Sequence, residues 1–446
     1  MSVFDRAPVP SSARSAVAAA LSRRRFLGAA SAVGLGAAGL AACSDSGSGA
    51  TDSKGRTVVE WWNIQTTEPT KTVWPERAKA FEAEHPDVHI KLVTLENDAF
   101  KAKMTALTSS GKLPDIYHTW GGGVLKQQID AGLVEDLTDT IKPLSSEFVG
   151  VAGDPYKFDG KSYAMPLDIG GVGFWYNKAL FEKAGVTTPP ATWSDYLDAV
   201  KKLKSAGVTP IALAGKEKWP GMYYWAYLAM RIAGVDGMRK AADAKDFTGE
   251  DFVKAGERLK ELVALQPFQK GFLGAAYSTP NGEAATMGNG KAAMELMGQW
   301  APVTQADAGK GIGKDLGFFT FPTVAGGKGA GTDIFGGGGG YAVRKGAPKA
   351  AVDFLKFFMS PESDKLLVKK ADMMPAFKGA IGTLTDPNLK LVSAALDKAT
   401  GFQLYLDQAY PPAVGQEIND SVAALIAGAK SPEQVSRSIT QVAKSQ

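Results

Sequence analysis

Between Thr57 and Thr119 the chain switches repeatedly between two periods, and that alternation restricts its fold more than any other feature. Thr57-Val58-Val59-Glu60-Trp61-Trp62 reads as a strand. Trp74, Ala78 and Phe81 then recur at i, i+4 and i+7, the spacing of an amphipathic helix, which Pro86 stops. Val88, Ile90 and Leu92 alternate with His89 and Lys91, as a second strand should. A helix around Phe100 to Ser109 leads to a third short strand at Pro114-Asp115-Ile116-Tyr117-His118-Thr119. This strand–helix–strand–helix–strand order predicts an α/β fold with a parallel sheet covered by helices. Ligands of such sheets sit beyond the carboxyl ends of the strands. Trp62-Asn63 and Trp120-Gly121 fall at those ends.

The same style continues downstream. Phe174 to Asn177 reads as a strand and Lys178 to Ala184 as a helix start. Thr192 and Asp195 have the spacing of a capping box for a helix reaching Ala206. Val208 to Leu213, Ala292 to Met297, Leu316 to Phe321 and Tyr341 to Val343 read as strands. Met222 to Val263 is mainly helical, and helices are expected at Ala351–Met359, Glu362–Lys370, Leu389–Ala399, Gln416–Ala427 and Pro432–Ala443. No repeat of solenoid period is visible.

The front end is of a different kind. Residues 1–42 hold five arginines and one aspartate, and Arg23-Arg24-Arg25-Phe26-Leu27 precedes a glycine-rich apolar run to Ala42. A basic region followed by a short apolar stretch reads as an export signal, and the paired arginines resemble a twin-arginine leader. Leu40-Ala41-Ala42-Cys43 resembles the lipobox of bacterial lipoproteins, which makes Cys43 the site of lipidation. Acyl chains contribute about 0.8 kcal/mol per buried methylene, so several of them hold a folded domain on a membrane. Residues 43–56 supply the lipidated cysteine and a Ser/Gly/Asp-rich tether. Removing the leader's net charge of +4 from the chain's +4 leaves a body near neutrality, which argues against nucleic acid as a partner. Cys43 is the only cysteine, so the body has no disulfide and relies on its core. No second long apolar span follows, and a soluble body is expected.

Pro166-Leu167-Asp168-Ile169-Gly170-Gly171-Val172-Gly173-Phe174-Trp175-Tyr176-Asn177-Lys178 resembles the signature of extracellular sugar-binding proteins, the family 1 solute-binding subunits of ATP-driven (ABC) importers. Trp175 is its one departure, standing where an aliphatic, Phe or Tyr is usual. Trp61-Trp62-Asn63, Lys112 to Ile116, Met297 to Pro302 and Gly338 to Val343 also fall in family order. The resemblance implies a type II periplasmic-binding-protein-like fold, two α/β lobes with a three-segment hinge. Crossings are expected near Pro166, Phe321 and Met374-Pro375. They give an N-terminal lobe of residues 57–165 plus 322–373 and a C-terminal lobe of 166–321 plus 374–446. The implied partners are a small oligosaccharide, the permease subunits and the membrane through the anchor, for a monomer. Thr119-Trp120-Gly121-Gly122-Gly123 is similar to xylobiose-binding proteins of actinobacteria. Cellobiose, chitobiose and maltose-type sugars are the alternatives.

A pyranose has C–H groups on its faces and hydroxyls around its rim, so its site should mix indoles or phenols with carboxylates and amides. Trp62, Asn63, Trp120, Asp168, Gln299 and Trp300 offer this mix at strand ends or loops, and Trp225, Gly338 and Tyr341 are further candidates. Phe335 and Tyr410 are weaker ones. Trp61 should point away from Trp62 along the strand, into the core. Trp225 could instead fill a helix core. Gly336 to Gly340 lacks the Lys-Ser/Thr of a phosphate loop and reads as bare backbone close to the ligand or the other lobe. His85, His89 and His118 read as surface or structural residues. No metal or cofactor is called for. The rival class is an exported glycosidase, whose minimum is two carboxylates about 5 to 9 Å apart. No Gly-x-Ser-x-Gly elbow supports other hydrolytic chemistry.

Overall fold

A computed structural model describes residues 50–446 of the chain. The leader, the arginine pair, Cys43 and residues 44–49 of the tether lie outside the described residues. Thr57–Asn63 pairs in parallel with Val88–Thr94 on one side and Ile116–Thr119 on the other. Gly340–Val343 and then Ala164–Pro166 extend the sheet to five strands, each new pairing antiparallel. Period-two alternation sorts its side chains. Val59, Trp61, Ile116, Met165 and Tyr341 join one core, and Tyr117, Ala164 and Ala342 join another on the opposite face. Helices Thr70–Glu84 and Lys349–Phe358 cover the first face, and Asn97–Ser110 lies over the second. Trp61 is fully buried, stacked 6.4 Å from Trp74 and edge-on to Phe354 and Phe358.

A larger core forms around two three-stranded sheets. One orders Leu316–Phe319, Gly173–Asn177 and Met294–Met297, all antiparallel. The other orders Phe402–Leu404, Ile334–Gly337 and Gly170–Gly171. The predicted capping box is present: Thr192 Oγ1 accepts from the Asp195 amide at 3.2 Å, and Asp195 Oδ2 accepts from the Thr192 amide at 3.3 Å. The mainly helical stretch expected from Met222 to Val263 is formed by Trp219–Asp243, broken at Gly234, and Glu250–Ala264. Val208 to Leu213, expected as a strand, makes only single bridges at Ile211, to Phe268 and Met294, and Pro210 has no amide to donate to a longer ladder.

The chain passes between the two regions at Leu167–Ile169 and again at Gly338–Gly339, where glycine is required by packing. A Cβ on Gly338 would collide with the Asp168 carbonyl, and one on Gly170 with the Gln299 side chain. The second passage corrects the expectation of Phe321. Residues 322–337 run with the larger region: Phe321 and Phe335 lie in its core, and buried Arg231 donates to the carbonyls of Phe321, Gly331 and Asp333. Around the expected third crossing the chain touches both regions: Met374 and Ala380 lie in the larger core, while Ala376 and Phe377, the latter on Phe148, lie in the smaller. Among the described residues no helix is long and apolar enough to cross a membrane.

Candidate functional site

A cavity of about 220 Å³ lies between the two regions, at the carboxyl ends of the parallel strands. Its walls come from both regions and from both glycine-rich passages. Trp120, Asp168, Gln299, Trp300 and Gly338 all line it.

The signature strand positions the first group. Gly173–Asn177 pairs with Met294–Met297, which delivers Gln299 and Trp300 just past a strand end. Trp175, the unusual residue of that strand, donates its Nε1 to the Gly298 carbonyl at 2.9 Å and fixes the exit of the neighbouring strand. The Trp300 ring folds back over Gly298, where any Cβ would clash with it. It meets Tyr405 edge-on at 6.2 Å. Asp168 sits on the first passage. Its Oδ1 accepts from the Gly339 amide at 2.6 Å, and its Oδ2 accepts from Gln299 Nε2 at 2.9 Å. One carboxylate thus ties both passages to the larger region. Burial pushes its pKa up to about 6, against the opposing pull of those two bonds.

The five-stranded sheet supplies the opposite wall. Thr119 Oγ1 accepts from the Gly121 amide at 3.1 Å and shapes the turn that carries Trp120. His118 touches Trp120 edge-on at 4.5 Å and is 3% exposed. Burial, then the Lys101 charge, lowers its pKa to about 3, so the ring stays neutral and offers one donor and one acceptor. Several polar atoms on these walls find no partner among the described residues: Gln299 Oε1, both His118 nitrogens, the hydroxyls of Tyr277 and Tyr405, and Trp219 Nε1. Buried polar groups are normally paired, so these atoms have hydrogen-bonding capacity left for water or for a ligand.

Four sequence candidates do not reach the cavity wall. Trp225 is fully buried, stacked on Phe252 at 6.1 Å inside the larger core. Tyr341 is fully buried and accepts from Trp74 Nε1 at 2.9 Å. Trp62 points to the face opposite Trp61, as alternation demands, but lies half-buried against the second core, with Lys103 of the helix Asn97–Ser110 over its ring. Asn63 turns inward. Its Oδ1 accepts from the Gln65 amide at 2.9 Å and so shapes the loop Ile64 to Thr67, which does line the cavity. Phe335 and Tyr410 are core as well.

Sequence reasoning missed Trp219, Tyr223, Tyr277 and Tyr405, and it set His118 aside as structural. Pro220 at the start of a helix could have signalled that Trp219 opens it. No local pattern marked the two later tyrosines. The wall is acidic, with Glu96, Asp168, Asp372 and Asp407 against Lys101. Lys101 and Asp407 pair at 2.8 Å from opposite walls.

A deep cleft between two α/β lobes, crossed by hinge segments and lined by indoles and unpartnered polar atoms, defines a type II periplasmic-binding-protein-like solute receptor. The chain belongs to the bacterial extracellular solute-binding protein family, whose profile matches residues 65–365. It is similar to the multiple sugar-binding protein of Streptococcus mutans, 28% identical over 73% of this chain and 76% of that one. It is 25% identical to the diacetylchitobiose binding protein of Streptomyces coelicolor, over 73% of this chain and 74% of that one. With an uncharacterized ABC transporter extracellular-binding protein of Pyrococcus horikoshii, 28% identical, the match covers 55% of each chain, about half that relative's length. A solved structure concerned with xylan utilization by the thermophilic bacterium Caldanaerobius polysaccharolyticus superposes with a TM-score of 0.80 at 30% identity, covering 86% of this chain and 99% of that one. A chitin oligosaccharide binding protein superposes with a TM-score of 0.80 at 27% identity, covering 87% and 98%.

Proposed function

We propose that this protein captures a short oligosaccharide in the cleft by lobe closure and delivers it to the membrane subunits of an ABC importer, without chemistry on the sugar. The observation that carries the reading is the company Trp300 keeps. An indole suited to a pyranose face stands among unpartnered Gln299, Tyr277, Tyr405, His118 and Trp219 atoms suited to its rim. Closure is selected only if the ligand gains contacts in the closed state, and a ligand touching both walls does so. The names of the Streptococcus mutans and Streptomyces coelicolor relatives support a sugar as cargo. Xylobiose or a longer xylo-oligosaccharide is the favoured ligand, supported by the Trp120 segment and by the xylan-related neighbour. In this reading the receptor is a monomer on the outer face of the cell membrane, and the leader followed by Leu40-Ala41-Ala42-Cys43 supports its being held there by lipid.

Calorimetry with xylobiose, cellobiose, chitobiose, maltose and spermidine tests the reading, with product analysis for new reducing ends. Saturable heat with one disaccharide and an unchanged sugar supports it. New reducing ends make the protein a glycosidase. Heat with spermidine alone assigns the acidic wall to cationic cargo and overturns the sugar reading.

A further inference from the structure

The Gly121-Gly122-Gly123 run after Trp120 has no part in the cavity lining, yet it meets the larger region backbone to backbone. A Cβ on Gly122 would overlap the Gln408 carbonyl oxygen. One on Gly123 would overlap the Tyr410 carbonyl and stand 2.7 Å from the Pro411 nitrogen. Neither side of this contact can yield. Gly121 lies against the Pro155 backbone, and the helix that follows, Gly122–Asp130, buries Leu125 in the smaller region's second core. Across the contact, Tyr405, Leu406 and Tyr410 are buried in the larger core, and Gly415 brings the helix Pro412–Ile426 onto the Asp407 backbone. A charged pin stands beside the glycines. Lys101 Nζ donates to Asp407 Oδ2 at 2.8 Å, and Gln408 Nε2 donates to the same oxygen at 3.0 Å. The Asp407 side chain is 9% exposed, so salt screens the pair little. Trp120 and Gln408 line the cavity, so the contact borders the cleft.

We propose that the glycine corner and residues 404–411 form a ligand-independent catch that holds the lobes closed and so scales the affinity for whatever the cleft takes. This deepens the capture reading: it rests on lobe closure and not on which sugar is the cargo. A ligand's observed affinity is its intrinsic affinity for the closed form multiplied by the fraction of protein already closed. Contacts that the lobes make with each other raise that fraction, and they do so equally for every ligand. Close backbone approach is what the glycines provide and what any side chain at 122 or 123 denies.

Gly123→Ala isolates the catch. Gly121 and Gly122 have φ of +75° and +61°, where a side chain strains the backbone, but Gly123 has no positive φ. Alanine is also the better residue within a helix, so the substitution spares the smaller lobe and leaves its methyl to wedge the two apart. Small-angle X-ray scattering without ligand should give a larger radius of gyration for Gly123→Ala than for the unmodified protein. Calorimetry with xylobiose, cellobiose, chitobiose and maltose should show every sugar that binds losing affinity by one common factor, about tenfold or more for an overpacked contact. Lys101→Gln removes the pin without adding bulk. Its scattering without ligand should shift the same way, and it serves if the alanine variant fails to fold. An unchanged radius of gyration in the variants overturns the catch while capture stands. So does a loss of affinity in Gly123→Ala that differs from sugar to sugar. Absence of binding by every sugar overturns the cargo reading, and the scattering still decides the catch.

Discussion

Asp168 offers a test in which two substitutions at one atom pair should behave differently. Its side chain accepts from Gly339 and from Gln299, and the Gln299 oxygen is unpartnered among the described residues. Asp168→Asn keeps the oxygen that faces Gly339. Its new amide meets the Gln299 amide donor, but a flip of Gln299 turns the free oxygen to it and restores the bond. Asp168→Ala leaves both donors in a buried site without an acceptor, at about 1–3 kcal/mol each. The alanine variant should therefore be about 2–6 kcal/mol less stable than the asparagine variant at every pH. The pH dependence separates asparagine from the native residue. The folded pKa, about 6, lies above the ordinary 3.8, so the carboxyl's contribution is complete below pH 3.8 and is lost as pH rises through 6. Two units correspond to about 3 kcal/mol. Urea titrations followed by tryptophan fluorescence should show asparagine gaining about 3 kcal/mol on the native protein between about pH 4 and pH 8, mostly below about pH 6. A constant difference across that range would refute the buried, ionising carboxylate on which the hinge description rests.

Three further outcomes are expected. Trp300→Ala should weaken binding of the preferred disaccharide about 100-fold or more in calorimetry while the melting transition stays cooperative, because the ring's area is lost from the ligand and not from a core. Trp225→Ala should lower unfolding free energy by about 3–5 kcal/mol in denaturant titrations and leave affinity unchanged in the folded protein. Burial pushes Glu295 up to about 8, above its ordinary 4.5, so its contribution is present at low pH and lost as pH rises through 8. Glu295→Gln should therefore gain stability on the native protein as pH rises from about 4 to about 9 in urea titrations, and a difference that does not change with pH would contradict the buried carboxyl.

The first lobe was legible because its signals are local. Two periods alternate cleanly from Thr57 to Thr119, and the observed strands and helices follow them within a few residues. The cap at Thr192 was equally readable, since its bonds span three residues. The sheet partners Gly340–Val343 and Ala164–Pro166 could not be read the same way. They enter from far along the chain, and no period records which distant strand completes a sheet. The site divides similarly. Trp120, Gln299 and Trp300 follow strand ends, so position, side-chain chemistry and the family resemblance together pointed to them. Trp225 and Tyr341 have the right chemistry, yet a helix face and a strand face turn them inward. Tyr277 and Tyr405 reach the cavity from irregular segments whose course is set by tertiary packing. His118 looked structural because neither of its flanks suggests a metal, while its actual distinction is a pair of buried, unpartnered ring nitrogens.

The most direct measurement is a crystal structure grown with the disaccharide that titrates tightest. A sugar ring lying on Trp300, with hydroxyls bonded to Gln299 and His118 from opposite walls, is the expected result. A sugar seated elsewhere, or one touching a single wall with Trp300 uncovered, would contradict capture between the lobes.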